Sequence, residues 1–158
     1  MLSTIWPWLI APLALLGIAA LVVMGRRLRT FGREVGAERA RELFRLQRER
    51  LEAGFLQAAA ATGKPRGLRW VDCQWENGVI FVRDRQAGQI AALVGVTIQF
   101  EAIEGGDMEG VAAVGNLRNA SAVFFFHRGH WQTVGKAVFN MNPDEALKHF
   151  HNQYEQIG

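Results

Sequence analysis

The chain has 158 residues and a formal net charge of +3 at pH 7, and residues 26–52 alone hold nine arginines against five glutamates. The remainder is close to neutral and has no basic face or recognisable motif for nucleic acid, so we expect no nucleic-acid partner. A lone cysteine, Cys73, excludes an intramolecular disulfide and, without a Cys-x-x-Cys pair, argues against a zinc ribbon, an iron–sulfur site or a covalently attached haem.

The first 25 residues carry no charged side chain. The run Ile5–Met24 is apolar over 20 residues, and a helix of that length spans about 30 Å, the hydrocarbon thickness of a bilayer. A cleavable signal peptide is the competing interpretation, but such a peptide has a basic start and a shorter apolar core. We expect residues 1–25 to form an uncleaved single-pass membrane anchor. Its lipid-facing side chains are Ile5, Trp6, Trp8, Leu9, Leu13, Leu16, Ile18, Leu21 and Val22.

Four arginines follow the apolar run directly. Short segments rich in Lys and Arg stay on the cytoplasmic side of a membrane. The asymmetry predicts an inner (plasma) membrane protein whose N-terminus is outside and whose C-terminal domain is cytoplasmic. The arginines expected at the lipid headgroups are Arg26, Arg27, Arg29 and Arg33.

Residues 26–62 predict a basic helical stem that connects the anchor to the domain. Gly32 and Gly36 have the Gly-x-x-x-Gly spacing that lets two membrane helices approach closely, and self-association there would give a homo-oligomer. Among charged residues the spacing favours a break in the helix instead, because glycine weakens a helix by about 1 kcal/mol relative to alanine. Beyond the glycines, an apolar stripe is expected to dock onto the following domain or a neighbouring subunit. The stripe consists of Ala40, Leu43, Phe44, Leu51, Phe55 and Ala59.

From Leu68 the apolar period changes to two, which predicts strands in the domain formed by residues 63–158. Asn77-Gly78 lies between two apolar runs and predicts a β-hairpin, because both residues tolerate positive φ. A turn at residues 86–88 leads into a long strand over residues 90–103, in which Gly95 predicts a bulge or bend.

Further strands are predicted at residues 120–126 and 131–134, and residues 136–140 extend the second of them. Asn142-Pro143-Asp144-Glu145 has the residue order of a helix start. Apolar residues then repeat every three or four positions, which predicts a C-terminal amphipathic helix that covers one sheet face. The helix carries Leu147, Phe150, Tyr154 and Ile157. The fold class is therefore α+β, with an antiparallel β-meander of four to six strands.

This order of a helix followed by a curved meander resembles the cystatin and NTF2-like class. The resemblance covers element order only and no motif. It implies an alternative function, a membrane-tethered domain that binds a small ligand or acts as an enzyme in a curved-sheet pocket. That pocket would be lined by Trp70, Phe81, Phe124 and Trp131.

The polar candidates for chemistry all favour structural interpretations. Acidic residues in one glycine-rich loop do not match the EF-hand spacing, so we interpret them as a solvated turn. Histidines flank a turn and lie on the last helix, in a pattern that does not predict a zinc site. Cys73 alternates with apolar neighbours and is interpreted as a small buried hydrophobe. The acids are Glu101, Glu104, Asp107 and Glu109, and the histidines are His127, His130, His149 and His151.

The absence of a catalytic constellation, together with the anchor and the basic stem, favours a non-enzymatic function without a cofactor. We expect a membrane-anchored accessory or scaffolding subunit whose cytoplasmic α+β domain binds or stabilises a larger complex of the respiratory, photosynthetic or transport kind. The expected partners are membrane lipids, other membrane protein subunits and a second copy of the chain.

Overall fold

The structure is a computed structural model that describes residues 6–62 and 65–157, with side chains from residue 15 onward apart from residues 29 and 30. The chain forms two units, residues 1–39 and 40–158. The elements in chain order are helix α1 (Trp6–Ala61), strands β1 (Leu68–Asp84) and β2 (Ile90–Ala102), a 3-10 turn (Ala112–Gly115), strands β3 (Arg118–His127), β4 (His130–Gln132) and β5 (Ala137–Phe139), helix α2 (Pro143–His149) and strand β6 (Tyr154–Gln156).

The described part of the first unit is helical throughout. Gly32 and Gly36 both lie inside α1, so the break predicted at these glycines is wrong. Their neighbours are mostly good helix formers, and two glycines at about 1 kcal/mol each do not outweigh them. Close approach of a second helix at these glycines stays a prediction.

Most of the large apolar side chains described in the first unit are exposed. Leu16, Ile18, Leu21 and Val22 have exposed fractions between 49% and 71%. Ile5 lies outside the described residues, as do the side chains of Trp6, Trp8, Leu9 and Leu13. No helix within the described ranges is both long enough and apolar enough to cross a membrane. The membrane anchor therefore stays a prediction from the sequence.

The second unit is built on one antiparallel sheet with the order β4-β3-β2-β1-β6, and β5 also pairs with β3. The α+β class with an antiparallel meander is confirmed.

The turn predicted at residues 86–88 is confirmed as well: the backbone N–H groups of Gln86 and Ala87 donate to Asp84 Oδ1 at 2.9 and 2.7 Å. Hydrogen bonds from the Ala87 N–H and then from the Gln153 side chain lower the pKa of Asp84.

The hairpin predicted at Asn77-Gly78 is wrong, because β1 continues through these residues as one strand. Trp75 pairs with Val96 and Val79 pairs with Val94, so residues 76–78 bulge opposite Gly95 alone. The bulge that Gly95 predicts therefore lies on the neighbouring strand. Two carbonyls of the bulge, those of Glu76 and Asn77, accept hydrogen bonds from the side chain of Arg48 in α1.

The C-terminal segment is a helix followed by a strand, so the single amphipathic helix predicted to run to Ile157 is wrong. The predicted start is confirmed: Asn142 and Glu145 form a reciprocal capping box. The helix ends at His149, and Tyr154–Gln156 pairs with Val82–Asp84. This pairing satisfies backbone groups on the outer edge of β1 that a longer helix would leave open.

Alternate residues of the sheet point into two apolar cores, as the period of two predicts. One face of the sheet, which we call the α1 face, packs against the apolar stripe of α1. The expectation that this stripe docks onto the domain is confirmed. The opposite face, which packs against α2, is called the α2 face. Phe44 and Phe55 are fully buried there. The α1 face includes Ala92, Val94, Val96, Ile98 and Phe100 of β2. The α2 face includes Val82, Ala91, Leu93 and Val123, packed with Ala146 and Tyr154.

Candidate functional site

The structure brings together the four aromatic residues that were predicted to line a ligand pocket. Trp70, Phe81, Phe124 and Trp131 all belong to the core on the α1 face, where Phe124 is fully buried. Their rings surround side chains from the helix. The Phe44 ring centroid lies 4.9 Å from that of Trp131, 5.5 Å from that of Phe124 and 5.6 Å from that of Phe81.

A second helix ring, Phe55, occupies the other end of the same face. Its centroid is 6.1 Å from that of Trp70 and 5.8 Å from that of Phe124. The Trp131 indole also donates a buried hydrogen bond to the Ala40 carbonyl at 2.7 Å. Edge-to-face aromatic packing and a satisfied indole N–H are what a folded core requires. The four rings therefore enclose two phenylalanines of α1.

An open groove of about 690 Å³ lies where β1 begins and β2 ends. We call it the sheet-end groove. Ile103 on its wall is 50% exposed, although it is a large aliphatic residue. Arg69 on the groove pairs with Glu101 at 2.6 Å. The lining consists of Ala60, Leu68, Arg69, Trp70, Ala102, Ile103 and Glu104.

Only Trp70, of the four predicted pocket residues, lines this groove. The other three lie within the core on the α1 face of the sheet. The groove instead joins the end of α1 and the start of β1, which are neighbours in the chain, to the end of β2. The sequence signal that points to it is weak: two apolar residues, Leu68 and Ile103, sit at strand ends beside charges.

A smaller and more polar cavity of about 360 Å³ lies against the start of α2. We call it the polar cavity. Asn140, with φ of 59°, donates its backbone N–H to the Asn119 carbonyl at 2.8 Å and shapes one wall. Asparagine tolerates this left-handed conformation better than most residues. The lining consists of Glu76, Leu117, Arg118, Asn119, Ala120, Asn140, Met141, Asn142 and Glu145. Sequence reasoning missed this cavity, since its walls come from three separate segments of the chain.

Cys73 is half-buried and packs against the core on the α1 face. Burial, assisted by the nearby Asp72 carboxylate, raises the pKa of the Cys73 thiol from 9.0 to about 11. The thiol is therefore protonated near neutral pH, and a protonated thiol is a poor nucleophile. This environment agrees with the interpretation of Cys73 as a small hydrophobe.

The acidic loop and the histidines make local contacts. Glu109 accepts the Gly105 N–H at 2.8 Å, which closes the loop on itself. The ring Nδ1 atoms of His130 and His151 lie 3.0 and 2.9 Å from the carbonyls of Arg128 and Lys148. Within residues 6–62 and 65–157, no three or more His, Cys, Asp and Glu side chains group so as to hold a metal ion.

The arginines predicted at the lipid headgroups lie on α1. Arg26, Arg27 and Arg33 are exposed, and the side chain of Arg29 is outside the described set.

No family model, no curated protein and no solved structure matches this chain. Function is therefore inferred from the packed α1 face, the sheet-end groove and the residues of the first unit.

Proposed function

We propose that the chain is a membrane-anchored accessory subunit whose C-terminal α+β unit binds and stabilises a larger membrane protein complex. The observation that carries the proposal is the filled α1 face. Phe44 and Phe55 of α1 fill the sheet face on which the alternative function would place its ligand pocket. A partner would therefore bind the surface of the C-terminal unit. We assign this unit no catalytic function.

The anchor in this proposal is the apolar run Ile5–Met24. Its length matches a bilayer, and the described part of the run exposes large aliphatic side chains. The arginines that follow it favour a cytoplasmic C-terminal unit and an N-terminus outside, at the inner (plasma) membrane. Each arginine near an anionic leaflet adds about 1 kcal/mol of attraction.

The sheet-end groove is the docking surface that we propose for the partner. Interfaces are centred on aromatic and aliphatic anchors and are surrounded by polar rims. Ile103, which is exposed, and Leu68, which is half-buried, supply the apolar centre, and Arg69 and Glu104 supply charges beside it. Respiratory, photosynthetic and transport complexes are the assemblies that such a subunit would serve. The small-ligand alternative stays a prediction, and the four rings on which it depends pack against α1.

The test is a mild-detergent pull-down of the full-length, C-terminally tagged chain from native membranes. We expect a stoichiometric set of membrane proteins with the wild type. Ile103→Asp should lower their recovery about tenfold or more, because a charge at an interface centre is costly. Val134→Asp is the matched control, since Val134 is also an exposed aliphatic residue, at 62%, and lies outside the groove.

Recovery of the wild-type chain alone would contradict the accessory-subunit proposal. Equal recovery of the partners with Ile103→Asp and Val134→Asp would leave the accessory function in place and remove the sheet-end groove as its docking surface.

A further inference from the structure

Large apolar side chains continue along α1 beyond the apolar run, among charged residues. Leu28, Phe31 and Val35 follow the run, and each of them is more than half exposed. Arginines stand between them in the sequence, so this segment is no longer apolar as a whole. Several large apolar side chains left open on one helix indicate a surface that another molecule covers.

These side chains share one face of the helix with the end of the apolar run. Successive members are three, four, three and four positions apart, which is the a and d alternation of a coiled coil. All of them are between 53% and 71% exposed. We call them the heptad seam: Leu21, Met24, Leu28, Phe31 and Val35.

A bilayer would cover only the first part of this seam. The apolar run ends at Met24, and a helix rises about 1.5 Å per residue. Phe31 is therefore about 10 Å beyond Met24 along the helix, and Val35 is about 16 Å beyond it. The headgroup layer on each side of the hydrocarbon is only about 5–8 Å deep. Lipid thus does not account for Phe31 and Val35, and a protein surface does.

The charges beside the seam complement those of a second copy of the chain. With Val35 at position a, Glu34 is at g and Arg39 is at e. In a parallel pair, the g residue of one helix faces the e residue of the other helix five positions later. Glu34 of each copy would therefore face Arg39 of the other. Both side chains are exposed, and in the part of the chain that the structure describes neither makes an ion pair.

The neighbouring heptad opposes no like charges in the same arrangement. Its g residue is Arg27, and the e residue five positions later is Gly32. A two-fold axis repeats every contact, so the dimer would contain two Glu34–Arg39 pairs. The pattern therefore fits a second copy on both sides of the seam.

The membrane anchor fixes the orientation of the two helices. Copies inserted with the same topology leave the bilayer in the same direction, so their helices are parallel. A free coiled coil needs three or four heptads, whereas this seam has about two. Anchoring in one membrane raises the effective concentration of each helix for the other, which offsets the short length.

We propose that a second copy of the chain covers the heptad seam, in a parallel two-stranded coiled coil over residues 21–35. The inference rests on the anchor of the proposed function, which holds both copies in one membrane. The accessory subunit would then bring two C-terminal units, and two sheet-end grooves, to the complex that it serves.

The first test is disulfide cross-linking in native membranes, with copper phenanthroline as the oxidant and Cys73→Ala as the background. Val35→Cys places a thiol at position a, where the same residue of both helices comes within the Cα separation of about 4.4–6.8 Å that a disulfide requires. Arg33→Cys is the matched control, since Arg33 is also exposed but lies at position f, away from the seam. We expect at least about fivefold more cross-linked dimer with Val35→Cys.

The second test reverses the charges beside the seam in the Val35→Cys chain. Glu34→Arg would place two arginines opposite each other and should lower the dimer yield about threefold. Glu34→Arg combined with Arg39→Glu restores opposite charges and should restore the yield. Glu49→Arg is the control, because Glu49 is an exposed glutamate of α1 that lies outside the seam.

The proposal is overturned if Val35→Cys and Arg33→Cys cross-link equally, if Val35→Cys gives no dimer or cross-links to a different protein, or if the double reversal restores nothing. A stoichiometric set of recovered membrane partners without a Val35→Cys dimer would overturn the dimer and leave the accessory function in place. A Val35→Cys dimer in a chain that recovers no partner would keep the dimer and remove the accessory function.

Discussion

Gly135 brings the loop between β4 and β5 against the last turn of α1. A Cβ atom there would lie 2.3 Å from the Ala59 nitrogen and 2.5 Å from its Cα, and φ is +70°. Backbone atoms cannot rotate away as a side chain does, so the loop or the helix end must move. The close approach therefore depends on this one residue.

Gly135→Ala should lower the free energy of unfolding by about 2–4 kcal/mol, through overpacking and left-handed strain together. Gly88→Ala is the matched control. Gly88 has φ of +67° with open space around its Cβ position, so it should lose only about 1–2 kcal/mol of strain. Thermal unfolding of the full chain, followed by circular dichroism, measures both variants. Equal destabilisation would show that the contact with Ala59 contributes nothing.

The raised pKa of Cys73 predicts how its thiol reacts. With a pKa of about 11 instead of 9.0, the thiolate fraction at pH 8 falls about 100-fold below that of an ordinary cysteine. Alkylation by iodoacetamide should be slower in the folded chain by about that factor and should accelerate up to about pH 11. The same thiol in urea is the control, and equal rates in both states would contradict the prediction.

The raised pKa also links Cys73 to stability. Because the folded state disfavours the thiolate, the group's contribution is fully present below the unfolded-state pKa of about 9 and is lost as the pH rises towards 11. The loss of stability over this interval should be smaller in Cys73→Ala than in the wild type, as urea unfolding at a series of pH values measures.

At the scale of elements, the path of β1 depends on a contact with α1. Arg48 supplies hydrogen bonds to two carbonyls that the β2 ladder leaves out, and its own side chain is only 23% exposed. Without it, the bulge would expose these carbonyls to water or leave them unpaired. A helix side chain thus stabilises the course of a strand that is remote from it in the chain.

Arg48→Met should cost about 1.5–3 kcal/mol of unfolding free energy, the range for hydrogen bonds to a charged group. Arg45→Met is the control, about one helix turn earlier in α1. Arg45 pairs with Glu42 at 2.7 Å, but both side chains are more than half exposed, so the loss should be about 0–1 kcal/mol. Urea unfolding distinguishes the two variants, and a loss as small for Arg48→Met as for Arg45→Met would contradict the role of Arg48.

At the scale of the whole molecule, the proposed function divides between the two units. The first unit supplies the apolar and basic residues that we assign to the membrane. The second supplies a filled core and the sheet-end groove, and we assign the groove to a partner. Each assignment is tested separately, because membrane insertion and partner binding respond to different substitutions.

Leu16→Arg should weaken membrane insertion, since an arginine near the centre of a spanning helix costs about 2.5–3.5 kcal/mol. We expect the wild type to stay in the membrane pellet after carbonate extraction and a large part of the variant to appear in the supernatant. Leu46→Arg is the control, because Leu46 is similarly exposed, at 71% against 70%, but lies in the second unit. A wild-type chain released by carbonate would contradict the anchor.

Local sequence signals determined the turns and helix ends whose hydrogen-bonding groups lie within a few residues of one another. The Asp84 turn and the Asn142–Glu145 capping box are satisfied by their own neighbours, and both could be predicted. The helix stripe was also predictable, because its period of three and four and its aromatic residues have to be buried somewhere.

Only the tertiary structure decided the conformation of segments whose hydrogen-bond partners are far away in the chain. Asn77-Gly78 has the sequence of a hairpin, but Arg48, about 30 residues earlier, satisfies the bulge that replaces it. Tyr154–Gln156 fits a helical period, but the open edge of β1 binds it as a strand. The polar cavity likewise has walls from separate segments. Periodicity describes how one segment buries its side chains, whereas these features depend on backbone groups and spaces that exist only after the segments meet.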